Sequence, residues 1–142
     1  MNTACDTCLK RGALIALLAG PIARLLRPED GRKRVSGLLA LSNDELIEAV
    51  AGERRPRIDA AIGRFRPAMA RAKLSRAGCE AVCRHSDGYP ERLTHLPDPP
   101  NPVYLRGGHE RLKRLSSEPC VAVVGGRQPS EYAREVAQEM GR

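Results

Sequence analysis

Three groups of residues have types and spacings able to do chemistry. The first is Gly125-Gly126-Arg127-Gln128-Pro129-Ser130, which follows the apolar run Cys120-Val121-Ala122-Val123-Val124 and precedes a helical pattern over Glu131 to Met140. Glycines let a main chain approach an anion closely, and the free amides at a helix start carry partial positive charge toward it. Arg127 adds a full charge on a planar fork of donors that suits two phosphate oxygens. Ser130 can cap the helix or donate its hydroxyl. The chemistry this points to is phosphate binding at the carboxyl end of a strand. The motif is not G-x-G-x-x-G and has no P-loop lysine, so a tight strand-to-helix turn needing glycine for positive φ, with Arg127 solvated, explains the same residues.

The second group is Cys5-x-x-Cys8, which has the spacing of half a metal site or of a redox pair, with Cys79, Cys83 and His85 as conceivable partners. With Cys79 and Cys83 on one strand, steps of about 3.3 Å per residue hold their Cα atoms about 13 Å apart, too far to share one tetrahedral ion. A redox motif also wants a preceding strand, and the pattern before Cys5 offers none. The expectation is two packed or partly exposed thiols at a helix start, with no metal and no cofactor. His85, His95 and His109 fall in loops with no second histidine at helical spacing, so no catalytic residue is expected among them. The third group is basic: Arg54, Arg55 and Arg57, continued by Arg64, Arg66, Arg71 and Lys73. It reads either as a solvated face or as a track for a nucleic-acid backbone.

The elements that must hold these groups follow from the apolar spacing. Residues 8 to 51 are helical in pattern: a first helix from about Leu9 to Ala19 ending at Gly20-Pro21, a short one over Ile22 to Leu26, and a charged loop from Arg27 to Arg34. Lys10 and Arg11 before Ala13 to Ala19 imitate a short export signal, but the run is brief and its pattern continues to Ile22 and Leu25, as in a buried helix. Ser42-Asn43-Asp44-Glu45 is a capping box opening a helix that turns Leu46, Ile47 and Val50 inward. Ile58, Ala61, Ile62 and Phe65 share a face, and Pro67 either kinks that helix or starts the next, which runs to Gly78. There the character changes. Glu80 to Arg84 can extend, Glu91 to Leu96 is a helical turn, Val103 to Arg106 a strand, Glu110 to Leu115 a small helix, and Cys120 to Val124 a strand of the kind buried on both faces of a parallel sheet.

The chain has 142 residues, 24 basic against 17 acidic side chains, five cysteines and 3% aromatics. That length fits one domain, or one small domain and part of another. So few rings exclude a stacking platform for bases, and an odd cysteine number without a convincing export signal points to a reducing compartment, the cytoplasm. The first 75 residues hold 14 basic and 8 acidic side chains and the remainder 10 and 9, so the excess charge, which favours a polyanionic partner, lies in the front half.

Four segments taken together resemble a known family in order and spacing. They are Tyr89-Pro90-Glu91-Arg92-Leu93, Leu96-Pro97-Asp98-Pro99-Pro100, Val103-Tyr104-Leu105-Arg106-Gly107, and Val121-Ala122-Val123-Val124-Gly125-Gly126-Arg127 with Ser130 and Tyr132. The family is DNA-processing protein DprA, also called Smf. The resemblance implies an α/β fold, α+β overall: a helical domain similar to the sterile-alpha-motif type over residues 1–75, then over 76–142 the opening of an extended Rossmann-like domain, incomplete at its C-terminal end. It implies a non-enzymatic cytoplasmic protein that binds single-stranded DNA cooperatively and helps load the recombinase RecA in natural transformation or related recombination, as a homodimer in full-length members. In that family an arginine of the glycine turn meets the DNA phosphates, and Arg127 matches it, with Gly125, Gly126 and Ser130 shaping the turn. Gly126 stands where Ser or Thr is usual, and Ala133 where Gly commonly follows the Tyr. The competing reading is a nucleotide-processing enzyme of the phosphoribohydrolase type, which also opens with a strand and a Gly-Gly turn but leaves the Tyr-Pro and Pro-Pro segments unexplained. A non-functional remnant is the third.

Overall fold

A computed structural model describes residues 3–25, 31–119 and 121–141, without the side chains of residues 31–34. Five helices come first: α1 (Asp6–Leu25), α2 (Gly31–Ala40), α3 (Asn43–Val50), α4 (Arg55–Gly63) and α5 (Pro67–Arg76). They are followed by β1 (Cys79–Val82), α6 (Glu91–Thr94), β2 (Val103–Arg106), α7 (His109–Ser117) and α8 (Glu131–Met140).

The helical front is organised by α1. Leu14 and Leu18, from the apolar run that imitates an export signal, are fully buried and pack with Leu46 and Ile47 of α3 and Ile58 and Ile62 of α4. The helix does not stop at Gly20-Pro21 as the sequence suggests but continues to Leu25. Pro21 removes one backbone donor, and the carbonyl this leaves is that of Leu17, a residue on the exposed side. Pro21 itself is buried, so the proline adds apolar contact where it costs a hydrogen bond. Leu26 to Asp30 lie outside the described residues, and the rest of the expected charged loop, Gly31 to Arg34, is the first turn of α2.

The capping box forms as expected. The Glu45 amide donates to Ser42 Oγ at 3.3 Å, and the Ser42 amide donates to Glu45 Oε2 at 2.8 Å. Leu46, Ile47 and Val50 face inward. Pro67 takes the second of its two alternatives and starts α5, whose first-turn amide is unbonded in any helix. Gly78, with φ of 64°, ends that helix in the left-handed region and aims the chain into β1.

β1 and β2 form a two-stranded antiparallel ribbon pairing Cys79 with Arg106 and Val82 with Val103. Beneath it lies a second core, Ala4, Cys8, Leu9, Ala81 and Cys83, with Phe65 and Leu74 against it. The Ala4 amide donates to the Ala81 carbonyl at 2.7 Å, so the residues before α1 run beside β1. Helices with a small sheet make the fold mixed α and β, yet the parallel sheet is absent among the described residues. Val121 to Val124 are irregular and exposed, Val124 by 89%. A strand needs a neighbour for its amides and carbonyls, and among the described residues β1 and β2 pair only with each other, leaving Val121 to Val124 without a partner strand. Cys120 lies outside the described residues. α8 forms over the expected range, with most of its residues exposed. No described helix is long and apolar enough to cross a membrane.

Candidate functional site

The glycine turn is positioned by α8. Ser130 is its N-cap, accepting a hydrogen bond from the Ala133 amide at 3.2 Å, which occupies the hydroxyl oxygen as a cap. Gly125, Gly126 and Arg127 are exposed. Neither glycine has positive φ, and a Cβ on either would meet nothing within 4 Å. The demand for positive φ that a tight turn predicts is therefore not made here. What the turn offers is an unencumbered backbone, an exposed guanidinium and a helix N-cap three residues on, at Ser130.

Two arginines that the sequence offers as a basic track, Arg55 and Arg71, are engaged within the fold, and so is Arg11 outside the track. Arg55 pairs with Glu48 and, at 3.7 Å, with Asp59. Arg71 binds Asp6 Oδ1 at 2.6 Å and the Ala4 carbonyl at 2.9 Å, tying α5 to the start of α1. Arg11 donates to Asn43 Oδ1 at 3.0 Å and to the Leu39 carbonyl at 2.8 Å; burial lowers its pKa from the usual guanidinium value. Arg54 and Arg57 stay exposed around Arg55, as do Arg64 and Lys73. The patch is thus narrower in available charge than the sequence suggests, with Arg55 balanced by two carboxylates.

The structure assembles a third site against expectation. Cys5 Sγ, Cys8 Sγ, Cys83 Sγ and His85 Nδ1 all lie within 4.8 Å of one another. His85 Nδ1 is 3.5 Å from Cys5 Sγ, 3.4 Å from Cys8 Sγ and 3.9 Å from Cys83 Sγ. Cys5 and Cys8 are, as expected, partly exposed and packed thiols at a helix start, but Cys83 and His85 close on them, which the sequence expectation does not include, and the reason is local. Cys79 and Cys83 are indeed at opposite ends of an extended segment, but Cys79 is not a member. His85 replaces it, because the chain turns immediately after β1: the Ser86 amide donates to the Cys83 carbonyl at 2.9 Å and the Cys83 amide to Ser86 Oγ at 3.1 Å. The turn brings the imidazole back over Cys83. The legible signal was Cys83-x-His85, a second short ligand pair to set against Cys5-x-x-Cys8.

The sulfurs sit among donors. The Cys5 amide reaches Cys83 Sγ at 3.4 Å, and Asn101 Nδ2 reaches Cys8 Sγ at 3.3 Å. Burial, with a hydrogen bond to Cys5, lifts the Cys8 thiol to about 11 despite the Asn101 contact. Burial also pushes Cys83 upward, but hydrogen bonds from the Cys5 and His85 backbone and from the thiols of Cys5 and Cys8 outweigh it, and Cys83 falls to about 7. The cluster therefore makes Cys83 the more acidic of the two buried thiols.

No curated protein and no solved structure matches the chain. Residues 80–142, spanning nearly all of the ribbon, α6 to α8 and the Gly125 to Ser130 turn, match the family model of DNA recombination-mediator protein A, the DprA family, so that from Glu80 onward the chain is DprA-like.

Proposed function

We propose that this chain acts in DNA recombination as a non-enzymatic binder of single-stranded DNA that assists RecA loading. The observation that carries the reading is the family match over residues 80–142, which contains the whole glycine turn. We further assign two parts, a helical unit of the sterile-alpha-motif type over residues 1–75 and the opening of a Rossmann-like unit over 76–142. In this reading Arg127 meets a DNA phosphate beside the start of α8, Gly125 and Gly126 let the backbone come close, and Ser130 holds the helix end in place. Arg54 and Arg57 add long-range attraction, consistent with a formal charge of +7.

The test is fluorescence anisotropy of a labelled oligo-dT strand at several salt concentrations. Affinity is expected to fall as salt rises, and Arg127→Ala to weaken binding several-fold and flatten the salt slope by about one ion. Equal affinity of wild type and Arg127→Ala overturns the site assignment. Release of free base from a nucleoside monophosphate would favour the phosphoribohydrolase reading instead.

A further inference from the structure

We propose that Cys5, Cys8, Cys83 and His85 bind one zinc ion in a closed Cys3His site. Zinc takes sulfur at about 2.3 Å and imidazole nitrogen at about 2.0 Å, so a tetrahedral shell has S···N edges of about 3.5 Å and S···S edges of about 3.8 Å. The observed S···N separations are 3.5, 3.4 and 3.9 Å, already at that spacing. All four donor atoms fall within 4.8 Å of one another, so small side-chain adjustments complete the shell.

The fold brings the donors together from two distant stretches. Cys5 and Cys8 stand one helical turn apart at the start of α1, and the Ala4 to Ala81 hydrogen bond lays that start against β1. Cys83 follows β1 directly, and the Ser86-closed turn returns His85 to the same point. Thiolate-directed donors are in place around the shell: the Cys5 amide toward Cys83 and the Asn101 amide toward Cys8. Asn101 is itself fixed, its Oδ1 accepting from the Arg84 amide at 3.2 Å, which makes it a positioning residue for Cys8.

On binding, the three thiols release their protons to solvent and the imidazole enters neutral through Nδ1. The shell then carries one net negative charge, with Arg11 and Arg84 lining the adjoining groove. Four protein donors leave no open position, so the ion is structural and not a Lewis acid for substrate. Its effect is to clip the first turn of α1 to the segment after β1, closing a loop of more than 70 residues between sequence positions 75 to 80 apart. A redox role is the weaker use of the same residues. A dithiol pair needs two sulfurs and an approach for a third, whereas here three sulfurs and an imidazole converge and Cys8 and Cys83 are buried.

The experiment uses the whole 142-residue chain, purified with reductant and without chelator. Elemental analysis is expected to find one zinc per chain. Cobalt replacing it is expected to show the intense visible bands of tetrahedral Co(II) and a thiolate charge-transfer band. Cys5→Ser and Cys8→Ser are expected to abolish metal retention, and Asn101→Ala to weaken it by about tenfold with the tetrahedral spectrum intact. Cys79→Ser is expected to change neither stoichiometry nor spectrum. The wild-type spectrum is decisive even if a ligand variant fails to fold. A reduced wild-type chain that takes up neither zinc nor cobalt, an octahedral cobalt spectrum, or loss of metal in Cys79→Ser overturns the proposal.

Discussion

Ser42 and Glu45 show how far a single pair of side chains can be read. The capping box needs only local geometry, a hydroxyl and a carboxylate three residues apart at a helix start, and both hydrogen bonds form. The Ser42 side chain, with the Ser42 amide, holds the Glu45 carboxyl below the ordinary carboxylate range. A depressed folded pKa stabilises the native state above the unfolded value near pH 4.3, and that stabilisation is lost as pH falls through the folded value. Glu45→Gln is therefore expected to shrink the loss of stability on acidification below about pH 4.3, and Ser42→Ala to cost about 1 kcal/mol at neutral pH, both measured by urea unfolding at a series of pH values. An unchanged acid limb in Glu45→Gln counts against this account. Arg127 and Cys83 stand at the opposite end of legibility. Arg127 is legible from its neighbours in sequence, whereas the surroundings of Cys83 depend on residues some 78 positions away.

At the scale of elements, helices were legible wherever apolar spacing and end signals agreed. α3 and α8 start where Ser42 and the residue after Ser130 say they should, and Pro67, which the sequence leaves open between a kink and a start, starts α5. At Gly20-Pro21 local breaker residues predict a helix end, and tertiary packing of the buried Pro21 overrides them. A related prediction concerns the other glycine of that helix. Gly12 would bring a Cβ to 3.0 Å from the Pro102 ring carbons and into closer contact with the Tyr104 hydroxyl, because α1 docks there on the approach to β2. Alanine is favoured over glycine in a helix by about 1 kcal/mol. Gly12→Ala is nonetheless expected to destabilise the protein, and Tyr104→Phe in the same chain to recover part of the loss, both read from thermal melts. A higher melting temperature for Gly12→Ala alone would show that α1 is not seated on this segment.

Across the whole molecule, α1 belongs to both cores, with Leu9 in the one beneath the ribbon and Leu14 and Leu18 in the helical one. Shared burial on one helix couples the two, so Leu18→Ala is expected to cost about 2–5 kcal/mol and to speed hydrogen exchange of the Ala81 and Val82 amides in the ribbon in step with helix unfolding. Ribbon amides that keep their protection would show two independent units. The sequence by itself determined most of the helical front, the capping residues, the ribbon's two strands, the turn before α8 and the family resemblance carried by the four motifs from Tyr89 to Tyr132. These are written in short-range spacing and in motif order, which need no knowledge of distant contacts. Only the tertiary structure decided that α1 runs on through Pro21, that β1 and β2 pair antiparallel while Val121 to Val124 stay exposed, that Arg55 and Arg71 are spent on carboxylates, and that Cys5 and Cys8 meet Cys83 and His85. Each of those depends on which surfaces face one another across the fold, and residue spacing along the chain carries no record of that.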